Sequence, residues 1–287
     1  MTNERNHANG DTMRWLQDDA IYNYKSTLSS AVSCSVSTFI LTRFNIPLSG
    51  AREKGGFGSD ARFREWCISR SRIFNSVCLP SVTGQIERPT AWLILFDERY
   101  LNETAEAIKS IAQYEWIVPI IVNEREGVLP FRSLYTPEIS KRLCADSEIV
   151  ATCRLDNDDA IARSYIYCIV DYCNALIRKN YAVPTWLSFP IGAQWDGEEA
   201  SLLVMNNNPF LTLVERASVF FSRKATTAMS VNHGRVYERG DVLTPLTRFP
   251  MWLQHTHSEN VSNRKNLRLL KFRDVDTVLG HFCLPVR

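Results

Sequence analysis

Continuous apolar runs alternate with stretches in which apolar residues return at helical spacing, from residue 36 to about residue 179. Residues 36–44 predict a buried strand that stops at Asn45-Ile46-Pro47, because proline cannot continue regular pairing. Phe63, Trp66, Cys67, Arg70, Ile73, Phe74 and Val77 then recur as a core-facing helical stripe, which Pro80 ends. Residues 91–96 predict a second strand with Asp97-Glu98 at its tip, 101–113 a helix capped by Asn102, and 116–122 a third strand. A short helix over 137–145, a fourth strand over 148–155 and a helix over 160–177 complete a β-α-β-α-β-α-β order, the pattern of a parallel sheet. Beyond Lys179 the alternation gives way to short strand candidates at 185–191, 201–205, 211–215 and 219–222, separated by Gly, Asn and Pro turns. The expected fold class is α/β: a Rossmann-like parallel N-terminal half that continues into a mixed, largely antiparallel C-terminal half within one domain, 34–287. Residues 1–33 are polar apart from Met13, Trp15 and Leu16, and read as an N-terminal extension.

Composition adds little to that picture. A chain of 287 residues with 45% hydrophobic and 22% charged residues can bury a substantial core, and a net charge of +2 gives no reason to expect nucleic acid as a partner. The eight cysteines are scattered, without a Cys-x-x-Cys pair, and several fall inside apolar runs, as buried thiols of a reducing compartment do. With a polar start and no apolar stretch of spanning length, a cytoplasmic protein is expected. One local charge feature qualifies this. Residues 264–273 carry Arg264, Lys265, Arg268, Lys271 and Arg273 among leucines and Phe272, a basic amphipathic helix by spacing. It is either a solvated face or a surface for anionic lipid or diphosphate, which would place the protein against the inner face of a membrane.

The chemistry concentrates in Arg154-Leu155-Asp156-Asn157-Asp158-Asp159-Ala160, the turn between the fourth strand and the following helix. One aspartate there is explained by capping the helix and facing its positive end. Three within four residues repel one another unless a cation or cationic ligand neutralises them, and hard divalent ions take such oxygen donors. An EF-hand loop is excluded, since Ala160 and Ile161 stand where its fifth-position ligand and its glycine would be. Arg43 and Asn45 fall at the end of the first strand, the edge where ligands sit in open α/β sheets; an Arg there serves either a nucleotide or a surface carboxylate. Gly55-Gly56-Phe57-Gly58 is a weak phosphate-loop signal, with no Lys-Ser/Thr pair after it. Near the C-terminus, His255 and His257 lie two apart in an extended segment and so point to one side.

In order along the chain, the segments LTRFNI, IFNSVCLPSVTGQ, LILFDER, RLDNDDA, NPFLTLVE and PMWLQHTHSENVSN resemble the bacterial rhamnosyltransferase family, a group related to GT-A glycosyltransferases, over residues 36–270. The resemblance implies a GT-A-like fold, a nucleotide-diphospho-sugar donor, a manganese or magnesium ion, and a saccharide or glycolipid acceptor. By position it implies Asp158 as direct metal ligand and Asp156 as the residue facing the ribose or a metal-bound water. It also implies His257, picked out over His255 by the Trp-Leu-Gln-x-x-His-x-x-Asn spacing, as completing the metal shell, and Asp97 as holding the nucleotide base. Arg43, Asn45 and Arg154 join the donor-binding set. If the reaction inverts configuration, a carboxylate must deprotonate the acceptor. Glu215, at the end of the 211–215 strand, is the expected base, ahead of Asp196, Glu198 and Glu199. Two other functions are compatible with these residues: a non-catalytic nucleotide-sugar-binding protein and a metal-dependent phosphohydrolase.

Overall fold

The computed structural model describes residues 35–46, 59–123, 130–222, 224–258 and 270–286. The extension 1–33, the glycine loop 55–58 and the basic positions 264–269 lie outside the described residues.

Strands β1 (Val36–Arg43), β2 (Ala91–Asp97), β3 (Ile117–Val122) and β4 (Ile149–Arg154) form where the apolar runs predict them. They lie in the order β3-β2-β1-β4, all parallel. Every residue of β2 is buried, as a strand covered on both faces requires, whereas β3 alternates in exposure at the sheet's edge. Pro119 sits in β3, where a missing N–H costs the ladder least.

The helices depart from expectation at their ends, each time for a reason of hydrogen bonding. Helix α1 (Asp60–Ile73) is capped by Ser59, whose Oγ accepts the Arg62 N–H at 3.3 Å. It does not end at Pro80. A π-helical turn, Phe74–Cys78, carries it into α2 (Leu79–Thr83), with the Leu79 N–H donating to the Phe74 carbonyl across the wider turn. Pro80 thus falls in a first helical turn, where its absent donor is not needed. Helix α3 (Ala105–Ile111) begins after a 3-10 turn at Glu98–Tyr100, so Asn102 is not its cap. Helix α4 (Phe131–Arg142) starts six residues earlier than predicted and holds Pro137 inside it, one ladder bond being forgone while Tyr135 and Ile139 are fully buried.

The largest shift follows the acid turn. Ala160 and Ile161 form a short strand, β5 (Ala160–Ile161), and the helix α5 (Tyr165–Arg178) begins only after it. The aspartates therefore do not cap a helix, and the capping explanation of their presence falls away.

The second half contains β6 (Thr185–Leu187), β7 (Ile191–Trp195), β8 (Ala200–Val204), β9 (Thr212–Arg216), α6 (Ser218–Phe221), β10 (Val242–Leu243), β11 (Trp252–His255) and α7 (Val275–His281). As predicted, part of it continues the first sheet, which reads β10-β6-β9-β4-β1-β2-β3, with β9 antiparallel to both β4 and β6. The rest forms a second, four-stranded sheet, β5-β11-β7-β8, and residues 219–221 are helical instead of extended. The fold is thus of the expected α/β class, a parallel Rossmann-like half running into a mixed half. Trp252 anchors the second sheet: it stacks on Phe210 at 5.0 Å, donates its indole N–H to the Phe189 carbonyl at 2.7 Å, and lies against Gly192, where a Cβ would fall 2.2 Å from its ring. No helix among the described residues is long and apolar enough to cross a membrane.

Candidate active site

The carboxyl ends of β1, β2 and β4 are bound to one another by side chains that the sequence places in turns. Asn45, one residue past Phe44, accepts the Asp97 N–H through Oδ1 at 2.8 Å, and Asn157 donates from Nδ2 to the Phe44 carbonyl at 2.8 Å. Both asparagines are buried, so each satisfies backbone groups that the strand ends leave open. Asn45 is therefore a brace of this edge. Asp97 is buried with both oxygens on Arg99: Oδ1 accepts from its N–H and Nε, each at 3.0 Å, and Oδ2 from Nη2 at 2.7 Å.

The three aspartates have three different surroundings. Asp158 is buried, and its Oδ2 meets both the Arg70 guanidinium of α1 and His257 Nε2, the latter at 3.2 Å. Burial works against its charge, but Arg70 and His257 outweigh burial and hold the carboxyl below its ordinary range. Asp159 is buried and accepts the His255 N–H at 3.0 Å, which ties the turn to β11. Burial, then the charges of Asp158 and Asp156, push its pKa well up, the opposite direction from Asp158. Asp156 has a side chain 35% exposed and lies 3.5 Å from Arg154 Nη2. The π-helical turn of α1 brings Cys78 beneath them, its Sγ 3.6 Å from the Asp156 carbonyl. Burial and the three acids push that thiol up and keep it protonated.

On the opposite face of the large sheet, Arg43 and Arg154 extend from neighbouring strands, with Arg154 in register with Leu41. Arg43 lies over the Phe131 ring at 5.1 Å, and burial lowers its pKa, offset in part by Asp156. Arg154 Nε is buried, with no hydrogen-bond partner among the described residues. His233 completes this side, with its pKa lowered by burial and then by the charge of Arg154.

The histidine pair of β11 is drawn to the turn as its spacing predicts. The His255 ring stacks on Trp195 at 4.8 Å and lies 5.0 Å from that of His257, and burial drives its pKa down to about 4. Asp196 follows Trp195, whose register partner is His255, and the charge of this half-buried acid acts on the His255 ring. Its neighbours do not: Glu198 is exposed and Glu199 is paired with Lys271 at 2.6 Å.

Glu215 is not brought here. In β9 it pairs with Val150, four residues before Arg154, which puts it roughly 13 Å back along the sheet at about 3.3 Å per residue. Its oxygens accept from Thr226 N and Oγ1 at 3.0 and 3.1 Å and from Thr227 N at 3.1 Å. Leu211, Leu213 and Glu215 do share one side of the strand, but that side faces the 226–229 segment at the far edge and not a cleft.

The donor set does not match a divalent cation as the resemblance implies. Asp158 Oδ2 already takes the Arg70 guanidinium and His257, while Asp156 lies beside Arg154. Among the described residues no three His, Cys, Asp or Glu side chains converge on a point that could hold one. Sequence reasoning passed over Arg70 and His233. Arg70 carried a readable signal, a charged residue within an apolar helical stripe; His233, in an irregular 3-10 segment, carried none.

Residues 38–269 match the model of a family described as "Putative rhamnosyl transferase". No curated protein matches the chain at a significant level. Among solved structures it is similar to S. aureus TarS 1-349, with 11% identity and a TM-score of 0.40 over 76% of this chain and 60% of that one, so it spans less than two thirds of that structure. It is also similar to the 4-diphosphocytidyl-2C-methyl-D-erythritol synthase of Anaerococcus prevotii DSM 20548, with 11% identity and a TM-score of 0.33 over 88% of this chain and 98% of that one. A third, mannose-6-phosphate isomerase from Helicobacter pylori, shares 13% identity at a TM-score of 0.27, over 76% and 86% of the two chains. The family match takes in the parallel sheet, the acid turn and β11 together, and on that ground the chain belongs to the glycosyltransferase family of that description.

Proposed function

We propose that the chain transfers a sugar, rhamnose by the family's description, from a nucleotide-diphospho-sugar to a hydroxyl of a saccharide or lipid-linked acceptor. The observation that carries this reading is the junction of three strand ends into one polar edge, Asn45 to Asp97 and Asn157 to Phe44, at the place where open α/β sheets take nucleotides. Asp97 and Arg99 at the tip of β2 face the nucleoside, and Asp156, the most exposed acid of the turn, faces the ribose or the sugar. The acceptor oxygen attacks the anomeric carbon as the bond to the diphosphate oxygen breaks. Asp196 takes the hydroxyl proton in place of Glu215, since it is the acid that β7 delivers beside His255.

The test is a panel of nucleotide-sugars offered with and without an oligosaccharide or glycolipid acceptor, scored by release of nucleoside diphosphate. Release that depends on acceptor is expected from at least one donor. Donor binding without release in any pairing would show a binding protein, and inorganic phosphate without an acceptor a phosphohydrolase.

A further inference from the structure

Three aspartates in four residues demand positive charge from somewhere, and the structure supplies it from the chain itself. Arg70 sits on Asp158, and Arg154 stands beside Asp156. Asp159 is buried against the backbone of His255. The repulsion that would recruit a metal ion is thus already answered. Among the described residues no carboxylate pairs with Arg43, which reaches the same corner as Arg154 and lies on the Phe131 ring.

The geometry of Arg43 and Arg154 is that of a fork. The two strands are adjacent and parallel, Arg154 is opposite Leu41, and Arg43 follows two residues on, so both side chains leave the same face of the sheet. Their Cα atoms are about 8 Å apart, from roughly 4.8 Å between strands and 6.6 Å along one. Arginine side chains of that spacing can close on the two phosphoryl groups of one diphosphate, each with a planar pair of N–H donors. Arg154 Nε is a buried donor that no acceptor meets among the described residues, and buried donors of this kind ordinarily have a partner.

We propose that this site handles its diphosphate without a divalent cation: Arg43 and Arg154 together take the charge of the nucleotide's diphosphate, and Arg70 holds Asp158 as a positioning residue in the place where a metal would otherwise be. The proposal rests on the nucleotide-sugar reading given above.

The experiment measures thermal stabilisation and calorimetric affinity of the full chain with UDP, dTDP, GDP, CDP and inorganic pyrophosphate, each in EDTA and in manganese. At least one nucleoside diphosphate should bind equally in both, read as equal stabilisation, which rises with the logarithm of ligand concentration over Kd. Arg43→Met and Arg154→Met should each weaken it roughly ten- to hundredfold, the range for losing charged hydrogen bonds. Arg43→Lys and Arg154→Lys retain charge but lose the fork; they serve if either methionine variant fails to fold, and should lose most of the affinity as well. Binding only in manganese, or undiminished binding by the variants, overturns the proposal. Pyrophosphate bound in EDTA by wild type and lost in the variants, with no nucleoside diphosphate binding any tighter, leaves the fork standing and removes the nucleotide reading. No binding by any of the five in either buffer overturns both.

Discussion

Arg70 and Asp158 are each nearly sealed from solvent, and neither would be tolerated there alone. Taking a guanidinium and a carboxylate out of water is costly, and their mutual attraction repays the cost only while both are present. Arg70→Met should therefore lower unfolding free energy by about 3–5 kcal/mol, because it strands a buried carboxylate. Adding Asp158→Leu should restore most of the loss. Urea denaturation of the two single variants and the double closes the cycle; a double variant as unstable as the sum of the singles would show that no pair exists. The partner was half-legible from the sequence. A charged residue in the apolar stripe of α1 announces that something buried must pair with it, but helical spacing cannot say that the partner lies in the turn after β4. Likewise the crowding of Asp156, Asp158 and Asp159 correctly predicted a need for positive charge. Its source was expected to be a cation or a cationic ligand, because Arg70 is distant in sequence and only the fold makes it a neighbour of Asp158.

Elements long enough to show their period were legible, and short ones were not. Strands β1 to β4 are apolar runs with no competing helical reading. Residues 219–222 are rich in β-formers, yet four residues cannot display a period, and 219–221 fall within α6. Strand β7 went unread because its centre is Gly192-Ala193-Gln194, small and polar, for a reason that lies across the sheet: the ring of Trp252 fills the space above it. Gly192→Ala should cost about 1–3 kcal/mol, as overpacking of a tight core does, with a lowered melting temperature as the readout. An unchanged melting temperature would mean that the Trp252 ring can move aside. Helix α7 offers a pH-dependent counterpart. His281 donates to the Pro250 carbonyl at 3.0 Å, and burial, opposed by that bond and reinforced by Arg163, lowers its pKa to about 4. The neutral ring belongs to the folded state, so its contribution is complete above the ordinary value near 6.5 and is lost as pH falls from there towards 4. Over that window wild type should lose about 3 kcal/mol more stability than His281→Gln, at roughly 1.4 kcal/mol per pH unit. Parallel stability curves for the two would refute the assignment.

At the scale of the whole molecule the large sheet separates two tasks by its two edges, and two acids test the separation. The carboxyl ends of β1, β2 and β4 gather the polar groups, while the other end of β4 pairs with the part of β9 that carries Glu215. There Glu215 holds the turn at Thr226 and Thr227, and Thr227 has φ of 67°, a region that β-branched residues rarely adopt. A carboxylate accepting three hydrogen bonds pins that backbone. Glutamine offers one acceptor oxygen and sets an NH2 against the remaining donors. Glu215→Gln should therefore cost about 1–3 kcal/mol of stability and leave transfer per folded molecule near that of wild type. Asp196→Asn should do the converse: donor affinity and melting temperature close to wild type, with transfer slowed by roughly two to four orders of magnitude, as for loss of a general base. The Asp196 carbonyl-type oxygen that accepts the Glu198 and Glu199 N–H groups is retained in asparagine, so the β7–β8 turn should survive the change. Single-turnover transfer, normalised to the folded fraction, is the decisive measurement. A large rate loss in Glu215→Gln with near-normal turnover in Asp196→Asn would return the chemistry to the far edge of the sheet and break the division of labour argued from its register.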